Sequence, residues 1–132
     1  KEDMAKPSWN DYFLNIADTV ATRADCTRRQ VGAVVVKNNR IVGTGYNGAP
    51  AGKPGCETCP RRTSDVAPLA GSYDTGPGAC VALHAEQNAL LYTDRVDLLG
   101  STIYITCPPC DGCQKMIQGA GLAKVVFRNE QA

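Results

Sequence analysis

The chain holds one histidine, and the residues grouped around it constrain the fold more than anything else in the sequence. His84 is followed two positions on by Glu86, and Pro109, Cys110 and Cys113 form a Pro-Cys-x-x-Cys turn later in the chain. Zinc prefers four tetrahedral ligands drawn from nitrogen and sulfur donors. One His and two Cys supply three and leave a fourth position open for water, which separates a catalytic site from a closed structural one. The Cys-x-x-Cys turn lets two sulfurs of one chain reach one ion. Both ligand groups stand at predicted helix starts, where free N–H groups and partial positive charge favour thiolates.

The elements around these motifs follow from pattern. Ser8 caps a helix expected over about 8–24, with Trp9, Tyr12/Phe13, Ile16/Ala17 and Val20 at helical spacing. Val31–Lys37 is rich in β-branched residues, Asn38-Asn39 turns, and Arg40–Tyr46 follows, which reads as a hairpin. Residues 47–78 carry many Gly, Pro and polar residues without a period, and a loop that long is functional or held by something. A helical pattern returns near 82 with Leu83, Gln87, Leu90 and Leu91 on one face, and Gly100 ends the segment. His84 falls in its first turn. Ser101–Thr106 reads as a buried strand, about 111–119 as a helix and Lys124–Arg128 as a strand. The last two strands are expected to be parallel, joined by a right-handed crossover. The order predicts an α/β fold of three layers, α/β/α, with a central mixed sheet, as a single domain over residues 1–132.

Composition excludes several classes. A net charge of +1 gives no general drive towards polyanions, so a polynucleotide partner is not expected, though a local basic pocket for one phosphate is compatible with it. No apolar run is long enough to span a bilayer, so no membrane partner is expected either. No signal-peptide pattern opens the chain, and a cytoplasmic location is expected. Seven cysteines, an odd number, argue against a fully paired disulfide framework and towards metal. Beyond Cys110 and Cys113, the thiols of Cys26, Cys56, Cys59 and Cys80 suit a second, structural zinc that would pin the long loop. The alternative is that all four are small buried fillers, and Cys107, at a strand end, reads as core packing.

His-x-Glu followed by Pro-Cys-x-x-Cys is the known signature of zinc deaminases. Zinc lowers the pKa of its water from ~16 towards ~7, making hydroxide available to attack C4 of a cytosine ring. Glu86, two residues from His84, points away from the metal and can carry a proton from the water to N3 and to the leaving ammonia. The backbone N–H near Ala85 and the carbonyls near Thr106 are candidate contacts for the base edge.

The chain resembles the deoxycytidylate (dCMP) deaminases of the cytidine deaminase superfamily. The resemblance rests on His84-Ala-Glu-Gln-Asn-Ala-Leu90, Gly45-Tyr-Asn-Gly-Ala-Pro-Ala-Gly52, Pro7-Ser-Trp-Asn-Asp-Tyr-Phe13 and Cys26-Thr-Arg-Arg-Gln-Val-Gly-Ala-Val34. It implies a cytidine-deaminase-like fold and hydrolysis of dCMP to dUMP and ammonia, feeding thymidylate synthesis. It implies that Asn47 helps hold the sugar. It also implies a homo-oligomer, commonly a hexamer, with dCTP and dTTP as effectors near residues 45–52 and Mg2+ accompanying the triphosphate. Some phage members carry a second zinc near positions like Cys26 and Cys56. Cys107 and Pro108 and the loop Cys56–Ser64 depart from the family pattern, and the chain ends soon after its final strand. Arg61, Arg62, Arg28 and Arg95 are candidate phosphate or effector contacts, since guanidinium forks suit phosphate. Two other readings stand beside this one. The first is a deaminase of the same fold acting on CMP, a modified cytosine nucleotide or another amino-heterocycle. The second is a non-catalytic zinc-stabilised binding module, which would have no use for Glu86.

Overall fold

A computed structural model describes residues 5–26, 29–55 and 82–128. Ser8, extended at φ −64°, ψ 161°, accepts the Asp11 N–H on its hydroxyl and starts helix α1, Trp9–Ala21. The helix stops earlier than its periodicity suggests, because the Thr22 hydroxyl donates to the Thr19 carbonyl at 2.6 Å and ends the ladder. Strands β1 (Gly32–Lys37) and β2 (Arg40–Tyr46) form the expected hairpin. Asn38 and Asn39 turn it in the left-handed region at φ 53° and 61°, which asparagine tolerates best among non-glycine residues.

Helix α2 (Ala85–Leu91) and the short helix α3 (Arg95–Leu98) replace one continuous segment. The break has a local cause. Thr93 turns its hydroxyl back onto the Ala89 carbonyl at 2.7 Å, and extended Asp94 restarts the chain as the cap of α3. Strand β3 (Thr102–Ile105), helix α4 (Asp111–Gly119) and strand β4 (Lys124–Phe127) complete the described elements.

The sheet runs β2-β1-β3-β4. β1 pairs antiparallel with β2 and with β3, and β3 pairs parallel with β4 across α4. The sheet is therefore mixed, as expected. Period-two alternation splits it into two apolar faces. Val34, Val36 and Tyr104 meet Phe13, Leu14 and Ala17 of α1. Ala33, Val35, Ile103 and Ile105 meet Ala85 and Ala89 of α2, Leu98 of α3 and Ile117 of α4. Among the described residues no helix is long and apolar enough to cross a membrane.

Two glycines set how closely the helices sit on the sheet. A Cβ at Gly32 would strike the backbone of Ala17 and Ala21, and one at Gly45 would strike the Ala85 carbonyl and the Ala89 amide. Neither obstacle is a flexible side-chain tip, so neither can simply swing aside. Gly45→Ala is expected to destabilise the fold by about 1–3 kcal/mol in denaturant titration, through overpacking. Gly119→Ala, with nothing within 4 Å of the added carbon, is expected to be neutral or stabilising by up to about 1 kcal/mol.

Candidate metal centre

The site lies where two helix N-termini meet beside the C-terminal end of β3. His84 caps α2 in extended conformation at φ −67°, ψ 156°, and its N–H is taken by the Gln87 side chain at 2.7 Å. Cys110 caps α4 at φ −72°, ψ 169°, and Cys113 lies on the first turn of that helix. Gly48 and Leu83 exchange backbone hydrogen bonds of 3.1 and 2.8 Å, which ties the residue before His84 to the end of β2. Thr106 exchanges bonds with Gly32: its hydroxyl accepts from Gly32 N–H at 3.2 Å and its N–H donates to Gly32 carbonyl at 3.0 Å. The Cys-Pro-Pro-Cys turn thus starts from a fixed point.

His84 Nδ1 stands 3.6 Å from Cys110 Sγ and 3.2 Å from Cys113 Sγ. With zinc–sulfur bonds of about 2.3 Å and zinc–nitrogen bonds of about 2.0–2.1 Å, a tetrahedral site has nitrogen–sulfur edges of about 3.6 Å. The three ligand atoms all lie within 4.8 Å of one another and fit one ion.

Electrostatics also favour a cation there. Cys113 is 1% exposed and Glu86 is 4% exposed. Burial pushes the Cys113 thiol far above its ordinary range, and the Glu86 carboxylate and the Cys110 sulfur push it the same way. Among the described residues no Lys or Arg forms an ion pair with Glu86. A buried carboxylate facing a second acid is costly unless a positive charge lies between them. A divalent cation inverts that balance and holds its thiols as thiolates.

The remaining candidate residues are placed unevenly. Ala85 is the first residue of α2 and Thr106 follows β3, so both border the cluster. Thr106 spends its N–H and hydroxyl on Gly32. Asn47 lies just beyond β2 with its carboxamide bonded to backbone, accepting from Val31 N–H at 2.8 Å and donating to the Arg29 carbonyl at 2.7 Å. Arg95 starts α3. Its neighbour Val96 accepts from the Lys37 ammonium at 2.8 Å, which puts α3 at the end of β1 away from Gly32 and Thr106. Cys26 is half-buried. Cys56, Cys59, Cys80, Arg28, Arg61 and Arg62 lie outside the described residues.

Two features of the site escape a pattern reading. Gln87, spaced for an apolar face, instead caps His84; the signal was the Gln three residues after the cap. Cys107, read as core packing, does pack half-buried against the core, and its sulfur also takes the Arg29 guanidinium at 3.3 Å.

Residues 7–129 match the profile of the cytidine and deoxycytidylate deaminase zinc-binding region. The deoxycytidylate deaminase of Mycobacterium phage D29 is 54% identical over 127 residues, covering 96% of this chain and 99% of the relative. That of Schizosaccharomyces pombe is 39% identical over 126 residues, covering 92% of this chain but only 37% of the longer relative. Among solved structures, the dCMP deaminase of cyanophage S-TIM5 in complex with dCMP and dUMP superposes with a TM-score of 0.69 at 34% identity, covering 96% of this chain and 85% of that one.

If the cluster holds zinc, saturating metal should raise the unfolding free energy of the metal-free protein, by about 2.7 kcal/mol at a hundred times the dissociation constant. Cys113→Ser is expected to lose most of that gain. Thermal melts with and without zinc, on both proteins, measure it.

Proposed function

As the chain belongs to the cytidine and deoxycytidylate deaminase zinc-binding family, we propose that it hydrolyses dCMP to dUMP and ammonia. The observation that carries this reading is the buried Glu86 carboxylate beside the His84, Cys110 and Cys113 cluster. His84, Cys110 and Cys113 would hold zinc, which would supply the Lewis acidity that makes water a nucleophile at neutral pH. Every other step falls to the chain's own groups.

Glu86 takes a proton from the water as its oxygen adds to C4 of the pyrimidine. It passes that proton to N3, then relays the second water proton to the exocyclic nitrogen. The C4–N bond breaks, ammonia leaves and a carbonyl remains at C4. A carboxylate held out of bulk water suits this shuttle, because it does not lose its proton to solvent between transfers. The free N–H of Ala85 at the start of α2 suits the base carbonyl, and the Thr106 carbonyl suits the amino group.

The same reading extends, on the family resemblance, to one domain over residues 1–132 and to a homo-oligomer, a hexamer. It extends to dCTP and dTTP as effectors with Mg2+, to a second zinc on Cys26, Cys56, Cys59 and Cys80, and to a cytoplasmic setting. Arg28, Arg61 and Arg62 stand as phosphate candidates, with Arg95 the weakest of the four by its place on α3 at the far end of β1. Metal analysis separates one zinc per chain from two.

Ammonia release from dCMP, CMP, deoxycytidine and guanine is the direct test. dCMP is expected to turn over fastest, and silence on every substrate in the zinc-loaded protein, with or without dCTP, would sink the reading. Glu86→Gln is expected to lower turnover by about 10²–10⁴-fold while zinc content is kept.

A further inference from the structure

We propose that Asp25 is a positioning residue for the nucleotide pocket, its carboxylate latching the backbone of residues 47–49 in the shape that substrate meets. The inference rests on the dCMP reading for its kinetic arm alone. Residues 47–49 lie between the two parts of the metal centre. Gly48 exchanges two backbone hydrogen bonds with Leu83, the residue before His84. The Asn47 side chain bonds Val31 N–H, and the next residue, Gly32, exchanges bonds with Thr106. The two side-chain bonds of Asn47 use one N–H and one lone pair of its carboxamide, which leaves one of each for a ligand such as the sugar.

Backbone groups of an extended stretch point alternately to its two edges. Gly48 turns its N–H and carbonyl to Leu83, on one edge. The Asn47 carbonyl and the Ala49 N–H turn to the other edge, and Asp25 meets both. Its own N–H donates to the Asn47 carbonyl at 3.0 Å, and its Oδ2 accepts from Ala49 N–H at 3.0 Å. Asp25 thus does for this edge what a neighbouring strand would do, with its carboxylate standing in for a strand carbonyl. The side chain also packs over Gly48, where an added Cβ would come to 3.1 Å from Oδ2. Asp25 itself is held by α1. It follows the last turn of that helix, where Arg23 and Ala24 still donate to the Val20 and Ala21 carbonyls at 3.1 and 3.0 Å. The latch therefore ties the pocket-side stretch to a helix packed on the sheet.

Gly48 is buried and Ala49 half-buried, while Asp25 is exposed, so the acid can be replaced without opening the core. Its loss leaves the Ala49 N–H to water and lets residues 47–49 sample other shapes. Substrate then binds only the fraction that keeps the latched shape, and KM rises by the inverse of that fraction. The net worth of one hydrogen bond sets the rise at about two- to tenfold. The Gly48–Leu83 bonds remain, so the step at the metal centre is left as it was.

Two readouts on the zinc-loaded protein test this. The first is amide hydrogen exchange. Asp25→Ala is expected to speed exchange at Ala49 by about two- to tenfold and to leave the amides of the β1–β3 ladder unchanged, which separates a local latch from general loosening. Asp25→Asn, whose carboxamide oxygen still accepts from Ala49 N–H, is expected to exchange like the wild type. The second readout is kinetics on dCMP. Asp25→Ala is expected to raise KM by about two- to tenfold with kcat held within about twofold, and Asp25→Asn to restore KM. A role that needs the negative charge, such as a direct contact with substrate, would be lost in both variants. Asp18→Ala, which removes the ion pair between α1 and Arg128, is expected to leave KM unchanged. Unchanged Ala49 exchange or unchanged KM in Asp25→Ala, or an asparagine variant that behaves like the alanine one, would overturn the proposal. A wild-type protein inactive on dCMP would refute the function proposed above and leave the exchange readout to judge the latch.

Discussion

A thiol buried beside a carboxylate resists ionisation unless a cation lies between them. Cys113 is in that position beside Glu86, with Cys110 at the rim. Much of the architecture answers this constraint. Two helices, α2 and α4, aim their N-termini at the same point, and their partial positive charge lowers the cost of gathering acids there. His84 contributes its ring from a cap position, where its side chain is free of the helix ladder. The nitrogen–sulfur distances of 3.6 and 3.2 Å lie near the edge length of a tetrahedral site.

Holding that geometry demands close packing beneath it. α2 lies on β2 at Gly45 so tightly that a single added carbon would enter the helix backbone. Ala85 and Ala89 present small side chains to the sheet on the same turn pair. α1 repeats the device on the other face, where Ala17 and Ala21 meet Gly32. Small residues at these crossings fix the helix height above the sheet, and interiors packed at crystal-like density transmit that height to the ends of the helices. The Asn88 side chain adds a polar pin, donating to the Tyr46 carbonyl at 2.8 Å. The fold thus anchors α2 to β2 by contact and by hydrogen bond, within one turn of His84.

The elements that were legible in advance are those whose signals are local. The hairpin announces itself by β-branched runs around Asn38-Asn39, and α4 by the cap, the Cys-x-x-Cys turn and the glycine that closes it. The break between α2 and α3 was not legible, because it depends on the rotamer by which the Thr93 hydroxyl finds the Ala89 carbonyl. What Gln87 bonds escaped for a related reason. Spacing placed it among the leucines, but its partner is set by neighbours that periodicity does not see.

The sequence by itself determined the donor set. One histidine and a Cys-x-x-Cys turn supply a donor set suited to zinc, with a glutamate two residues on from the histidine, because ligand chemistry resides in side-chain type. It also determined the mixed α/β order, since strand and helix periods are properties of short windows. Only the tertiary structure decided that His84 Nδ1 comes to 3.2 Å of Cys113 Sγ, that Glu86 is sealed from solvent beside them, and that Asn47 turns its carboxamide to the backbone. Those facts depend on how far apart two distant stretches of chain are held. That distance is set by packing at Gly45 and by the hydrogen bonds through Gly48 and Gly32, contacts between residues far apart in sequence.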